Sequence, residues 1–169
     1  MVPAVFILLA FLGSDPEKPL EIKIRGEVVC LAEEVERLHG VQIPPVHEHL
    51  TGIRTEDGRL FTLLKTSTSA FLFSDTRFRG RTLVLTGRTF PQSGLLEVRR
   101  TDWIREGKVY EVYYWCEICS IRTMDPGPCA CCQGPVELRE RPDGGGPEIR
   151  VPPAPDRSSD QRRQSDKSR

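Results

Sequence analysis

The chain has 169 residues, with 24 basic and 24 acidic side chains, no formal net charge and a pI near 6.8. That balance excludes a global field steering the molecule toward nucleic acid or anionic lipid, and the length allows one ordinary domain plus a small appendage. Fourteen prolines and fourteen glycines, many of them after Thr123, make the C-terminal third rich in turns.

Val2 to Leu12 is an unbroken apolar run of eleven residues, stopped by Gly13, Ser14 and Asp15. As a helix it would span about 16 Å, half a bilayer core, which suits the centre of a secretory signal peptide. No lysine or arginine precedes the run. The best cleavage positions, Leu8-Leu9-Ala10 and Leu12-Gly13-Ser14, lack alanine at both small sites. Residues 1–14 are therefore read as a signal peptide or N-terminal hydrophobic segment, with a retained membrane anchor or a buried element as alternatives.

From Leu20 the apolar period is two. Ile22, Ile24, Val28 and Cys30 share one parity, so this stretch predicts a strand with a bulge or bend at Gly26. Cys30 reads as a small core hydrophobe. Leu31 to Leu38 predicts about two helical turns. Two short strands around Asp57-Gly58 predict a hairpin, and Ala70 to Ser74 a short helix or strand. Arg81–Phe90 and Leu95–Arg99 predict a second hairpin around Pro91 to Gly94. Strand, hairpin, connector, hairpin is the element order of a five-stranded OB barrel over residues 20–105. An SH3-like barrel shares enough of that pattern to stay open.

Val109 to Trp115 is aromatic and β-branched and predicts a strand leading into the cysteine cluster, with Val136 to Leu138 as its partner. Cys116, Cys119, Cys129, Cys131 and Cys132 fall within seventeen residues. Read as C-x-x-C, nine residues and C-x-x-C, residues 109–140 predict a zinc-ribbon-like module held by structural zinc. The expected ligands are Cys116, Cys119, Cys129 and Cys132, with Cys131 as an alternative ligand. A disulfide framework and a redox pair are the competing readings. Ser120 and Gln133 stand where zinc-ribbon knuckles usually have glycine. Residues 141–169 contain almost no apolar side chains and predict a disordered tail.

These features together resemble small uncharacterised bacterial proteins with an OB-like β-barrel and a C-terminal Cys-rich zinc ribbon. The resemblance implies a binding or assembly role and no activity. Two further constellations stand out. His47 and His49 point the same way in an extended segment and form a candidate second metal site, which His39 would have to complete. Arg77, Phe78, Arg79, Arg81, Arg88 and Phe90 interleave the residue types of a single-strand nucleic-acid groove. Yet residues 20–105 hold thirteen basic against eleven acidic side chains, close to neutral. Ser67, Ser69 and Ser74 lack a nucleophile elbow, and neither an H-E-x-x-H helix nor a phosphate-cradling loop occurs, so no catalytic residues are assigned.

The sequence thus predicts a mostly β, non-enzymatic, zinc-containing binding or assembly module. It is expected in the periplasm or cell envelope, with a protein or envelope partner and membrane contact only through an uncleaved N-terminal segment. The alternative is a cytoplasmic OB and zinc-ribbon protein that binds nucleic acid.

Overall fold

A computed structural model describes residues 17–44 and 50–153. The apolar run at Val2 to Leu12, His47, His49 and the end of the tail lie outside the described residues. Among the described residues no helix is long and apolar enough to cross a membrane.

The chain is mostly β. Strand β1 (Leu20–Cys30) leads into helix α1 (Leu31–His39), which ends at Gly40 in the left-handed conformation that glycine tolerates (φ 64°). Strands β2 (Thr51–Thr55) and β3 (Leu60–Leu63) form the hairpin expected at Asp57-Gly58. The connector after β3 resolves into the short helix α2 (Phe71–Ser74) and a 3₁₀ turn at Thr76–Phe78. Strands β4 (Thr82–Phe90) and β5 (Leu95–Arg105) make the second hairpin.

These five strands form a ring-like sheet. β1 is shared: Leu20 to Glu27 pair with β4, and Gly26 to Cys30 pair with β2. Gly26 sits where the two partners overlap, and a Cβ there would lie 2.2 Å from the Arg54 carbonyl oxygen. The glycine therefore serves the close approach of β2, with no register shift in either ladder. The ring is closed by two parallel pairs, Thr62↔Leu95 and Leu63↔Leu96. The arrangement is ring-like and not a clean barrel, because β5 outlasts the closure and carries the sheet onward.

β5 turns at Glu106-Gly107, both with positive φ (52° and 75°), into β6 (Lys108–Cys116). Two successive left-handed residues give the backbone twist that a tight hairpin needs. β6 then pairs with β7 (Ile121–Thr123) and with β8 (Glu137–Pro142), which pairs with β9 (Ile149–Arg150). The tail expected to lack structure from Arg141 onward instead begins inside β8. It returns at β9, where Arg139↔Arg150 and Glu140↔Ile149 supply the backbone partners that its composition did not advertise.

A single apolar core joins ring and extension. Ile53, Phe78, Leu83, Leu96 and Trp103 from the ring share one cluster with Val112, Tyr114 and Leu138 from β6 and β8. Residues 20–105 and 109–140 are therefore packed as one body at their junction. Cys30 lies at the end of β1, half-buried, outside that cluster.

Candidate metal centre

β6 delivers Cys116, and its inward residues fix the strand. Tyr114 is 2% exposed and packs edge-on against Phe71, with ring centroids 6.1 Å apart. Its hydroxyl donates to Asp75 Oδ2 at 2.5 Å, and Arg77 Nη2 donates to the same oxygen at 2.5 Å. Burial raises the Asp75 pKa, but the hydrogen bonds from Arg77 and Tyr114 outweigh it and the net direction is down. The Tyr114 hydroxyl is pushed up, by burial first and then by Asp75. The turn after α2 is thus tied to the strand that carries the first cysteine.

β8 is anchored similarly. Glu140 is fully buried; its Oε2 accepts from Trp103 Nε1 at 2.6 Å, and Arg105 pairs with its other oxygen. A buried carboxylate persists only when it is paired and hydrogen-bonded. The sequence carried a signal for this residue, since Glu140 shares parity with Leu138, yet a glutamate beside the tail invites a solvent assignment.

Two turns of matching geometry hold the cysteines. In the first, at the β6–β7 hairpin, the Ser120 amide donates to the Cys116 carbonyl (2.8 Å) and the Cys119 amide approaches Cys116 Sγ (3.5 Å). In the second, the Gln133 amide donates to the Cys129 carbonyl (2.8 Å) and the Gly134 amide approaches Cys132 Sγ (3.4 Å). Ser120 and Gln133, which replace the usual glycines, both take left-handed backbone angles (φ 54° and 59°). Non-glycine residues thus hold the left-handed position of both turns at a cost in backbone strain.

The sulfurs of Cys116, Cys119, Cys129 and Cys132 all lie within 4.8 Å of one another, so the four could hold a metal ion. Cys116 Sγ and Cys132 Sγ are 3.5 Å apart. A disulfide would require about 2.05 Å. Four sulfurs at about 2.3 Å from one tetrahedral ion would be separated by about 3.8 Å, close to the value seen. No disulfide joins any of the five clustered cysteines. Cys116 and Cys129, the first of each pair, are buried, whereas Cys119 and Cys132 are half-buried. Cys131 is exposed and stands outside the set of four, because the second turn brings positions three apart to one side.

The electrostatics favour ionisation first at Cys129. Amides of Cys132 and Cys131 donate toward its sulfur and lower the thiol to about 7. Cys119 is pushed up because its thiol donates toward the Cys132 and Cys131 sulfurs, and by burial. For Cys116 the Cys119 amide lowers the pKa, but burial and the neighbouring thiols outweigh it and the direction is up. A cation at the centre would reverse both upward shifts, since a metal ligand must be a thiolate.

The candidate nucleic-acid set does not form one surface. Phe78 is fully buried between Phe71 and Trp103 and cannot stack on a base. Arg77 is committed to Asp75, and Arg81 lies 4.6 Å over the Trp103 ring. Arg88 and Phe90 stand at the far end of β4, roughly 20 Å or more away at strand rise. Arg79 is exposed. The interleaving in sequence spans a buried turn and both ends of a strand, which no single groove can collect. His39 is exposed at the end of α1.

A scan against protein-family models gives no match, and neither the curated proteins nor the solved structures contain a significant match to this chain.

Proposed function

We propose that the chain is a non-enzymatic binding or assembly module in which an OB-like barrel carries a small structural zinc ribbon. The observation that carries this reading is the set of four cysteine sulfurs within 4.8 Å on two matching turns. Thiolates select soft or borderline ions, and zinc accepts four of them without a geometric demand of its own. Four protein ligands fill the shell and leave no open position for substrate, which is why the metal is assigned to folding. The ring supports the OB-like assignment, since β1-β2-β3-β5-β4 with a short closure is the circuit expected of a five-stranded, partly open Greek-key barrel.

Export to the periplasm or envelope, with a protein partner there, rests on the apolar run Val2 to Leu12 and its length. The cytoplasmic nucleic-acid reading loses most of its support, because its aromatic and basic residues do not converge. The deciding experiment is metal content and thiol titration on protein lacking residues 1–14 and purified without added metal. One zinc per chain, with the four ligand thiols reacting only after chelation and denaturation, is the expected result. A metal-free chain with oxidised thiols would overturn the assignment.

A further inference from the structure

The β5–β6 ladder runs from Arg105↔Lys108 to Asp102↔Glu111 and stops there. Beyond it β5 turns into the ring, whereas β6 continues toward the cysteines. The strands part around a crevice of about 290 Å³ between ring and ribbon. Three guanidinium groups line it, Arg99 and Arg100 from β5 and Arg122 from β7; Glu111 is the one carboxylate in the wall, and Glu21, Asp102, Asp143 and Glu148 pair with the arginines from outside it.

Arg99 is there because of a β-bulge. Arg100 pairs with Thr86 and Val98 with Gly87, so Arg99 has no opposite residue on β4. A Cβ at position 87 would lie 2.0 Å from the Glu97 carbonyl oxygen, so the distorted ladder requires glycine there. Bulges re-aim side chains, and they recur beside binding sites. The arginines differ in how firmly they are held. Arg100 is fixed by the buried Asp102 at 2.9 Å and by Asp143 at 3.1 Å. Arg99 is tied to Glu21, an exposed carboxylate. Arg122 stacks 4.0 Å over the Tyr113 ring and reaches Glu111 and Glu148 at 3.3 to 3.6 Å. Two of the three therefore keep donors that a ligand can take.

The lining also contains a buried hydroxyl group without any partner and a second whose one neighbour is a carboxylate. Thr101 is 1% exposed and its Oγ1 has no partner; Tyr113 is 3% exposed, and its hydroxyl faces Glu148, whose carboxyl it holds below the usual range. Buried hydroxyls in native proteins normally find a partner, and an orphan at a cavity wall marks where a ligand or water belongs.

We propose that this crevice is a binding site for a phosphate-type oxyanion. A tetrahedral oxyanion presents acceptors in several directions, so it can take guanidinium donors from both walls and hydroxyl donors from the floor. A planar carboxylate presents acceptors in one plane. The inference rests on reading the chain as a binding module and names its ligand class; it does not depend on which metal fills the cysteine site.

The test is calorimetric titration of the metal-loaded full chain with pyrophosphate at low ionic strength. The variants are Thr101→Val, Thr101→Ser, Arg122→Gln and, as a charge control on another face, Arg150→Gln. Saturable binding is expected, weakened at least tenfold by R122Q and several-fold by T101V, and retained by T101S and R150Q. Absence of saturable binding, or equal losses in R122Q and R150Q, overturns the proposal. A short single-stranded oligonucleotide added as competitor separates the sources of the phosphate. Displacement of pyrophosphate assigns the site to a nucleic-acid backbone, and lack of displacement assigns it to a small phosphorylated ligand. Zinc is quantified in each sample, so a chain that keeps its metal but ignores pyrophosphate refutes the crevice alone.

Discussion

Around the ring, Ile53, Phe78, Leu83, Leu85 and Leu96 are fully buried, and one apolar cluster runs from β1 through β5. Between Glu117 and Pro135, by contrast, the one buried side chain is that of Cys129. Ile118 (69% exposed) and Ile121 (41% exposed) stay largely open to solvent, and Met124 is the one apolar side chain of that segment packed against the core. The ring is held by removal of apolar surface from water, and the tip has almost none to remove. A segment of that kind keeps one conformation only if a strong local bond offsets its chain entropy, and four metal–thiolate bonds are of that strength. On the proposed reading, metal and core thus divide the molecule, with the boundary at Cys116 and Glu137.

The sharpest way to break this comparison is to remove a ligand. Cys129→Ala should abolish stoichiometric zinc and lose most of a binding free energy on the order of 10 kcal/mol, the scale of structural zinc sites. Hydrogen exchange should then accelerate in 117–135 and stay slow in β1, β4 and β5. Global unfolding on metal loss would show that the ring does not stand on its own core. The converse experiment is Phe78→Ala, which empties a fully buried site against Phe71 and Trp103. It should cost about 3–5 kcal/mol in denaturant unfolding, with zinc stoichiometry unchanged in the folded fraction.

The joint between the two regions is the next largest effect. Tyr114→Phe removes the hydroxyl from Asp75 and leaves the carboxylate with Arg77, an expected loss of about 1–2 kcal/mol. The same network predicts a pH dependence. Because the folded Asp75 pKa lies below its unfolded value, its stabilisation is complete above about pH 4 and is lost as pH falls through the folded pKa. Acid unfolding curves of wild type and Asp75→Asn should converge at low pH and separate above it; parallel curves would remove Asp75 from the joint. The smallest effect belongs to the knuckles. Replacing Ser120 and Gln133 by glycine relieves left-handed strain of about 1–2 kcal/mol per site but adds unfolded-state entropy of about 0.4–1 kcal/mol. A net gain near 0.5 kcal/mol per site is expected, read as tighter retention of zinc against a competing chelator. Unchanged retention would place the strain elsewhere.

Several elements were legible because local chemistry decides them. Asp57-Gly58 between two short apolar and polar alternating runs became the β2–β3 hairpin, and Val109 to Trp115 became β6. The C-x-x-C pairs met because each turn needs only backbone bonds within five residues. Other features were hidden for a common reason. Glu106-Gly107 is bracketed directly by the charged Arg105 and Lys108, which mask the apolar Trp103-Ile104 and Val109-Tyr110 beyond them, and its role follows from β5 running to Arg105. Phe78 looks like a basic-flanked aromatic in sequence, but the 3₁₀ turn rotates it into the core. Arg141 onward reads as solvated tail until β6 offers it a backbone edge.

By itself, then, the sequence determined the β character, the two early hairpins and the choice of cysteines able to meet in one cluster, since strand period, turn residues and ligand spacing act over a few residues. The tertiary structure decided what depends on distant partners. It closed the ring through Thr62↔Leu95, buried Glu140 against Trp103 and gathered Arg99, Arg100 and Arg122 at one crevice. Contacts between residues tens of positions apart are set by which surfaces the whole chain must bury, and no local window contains that information.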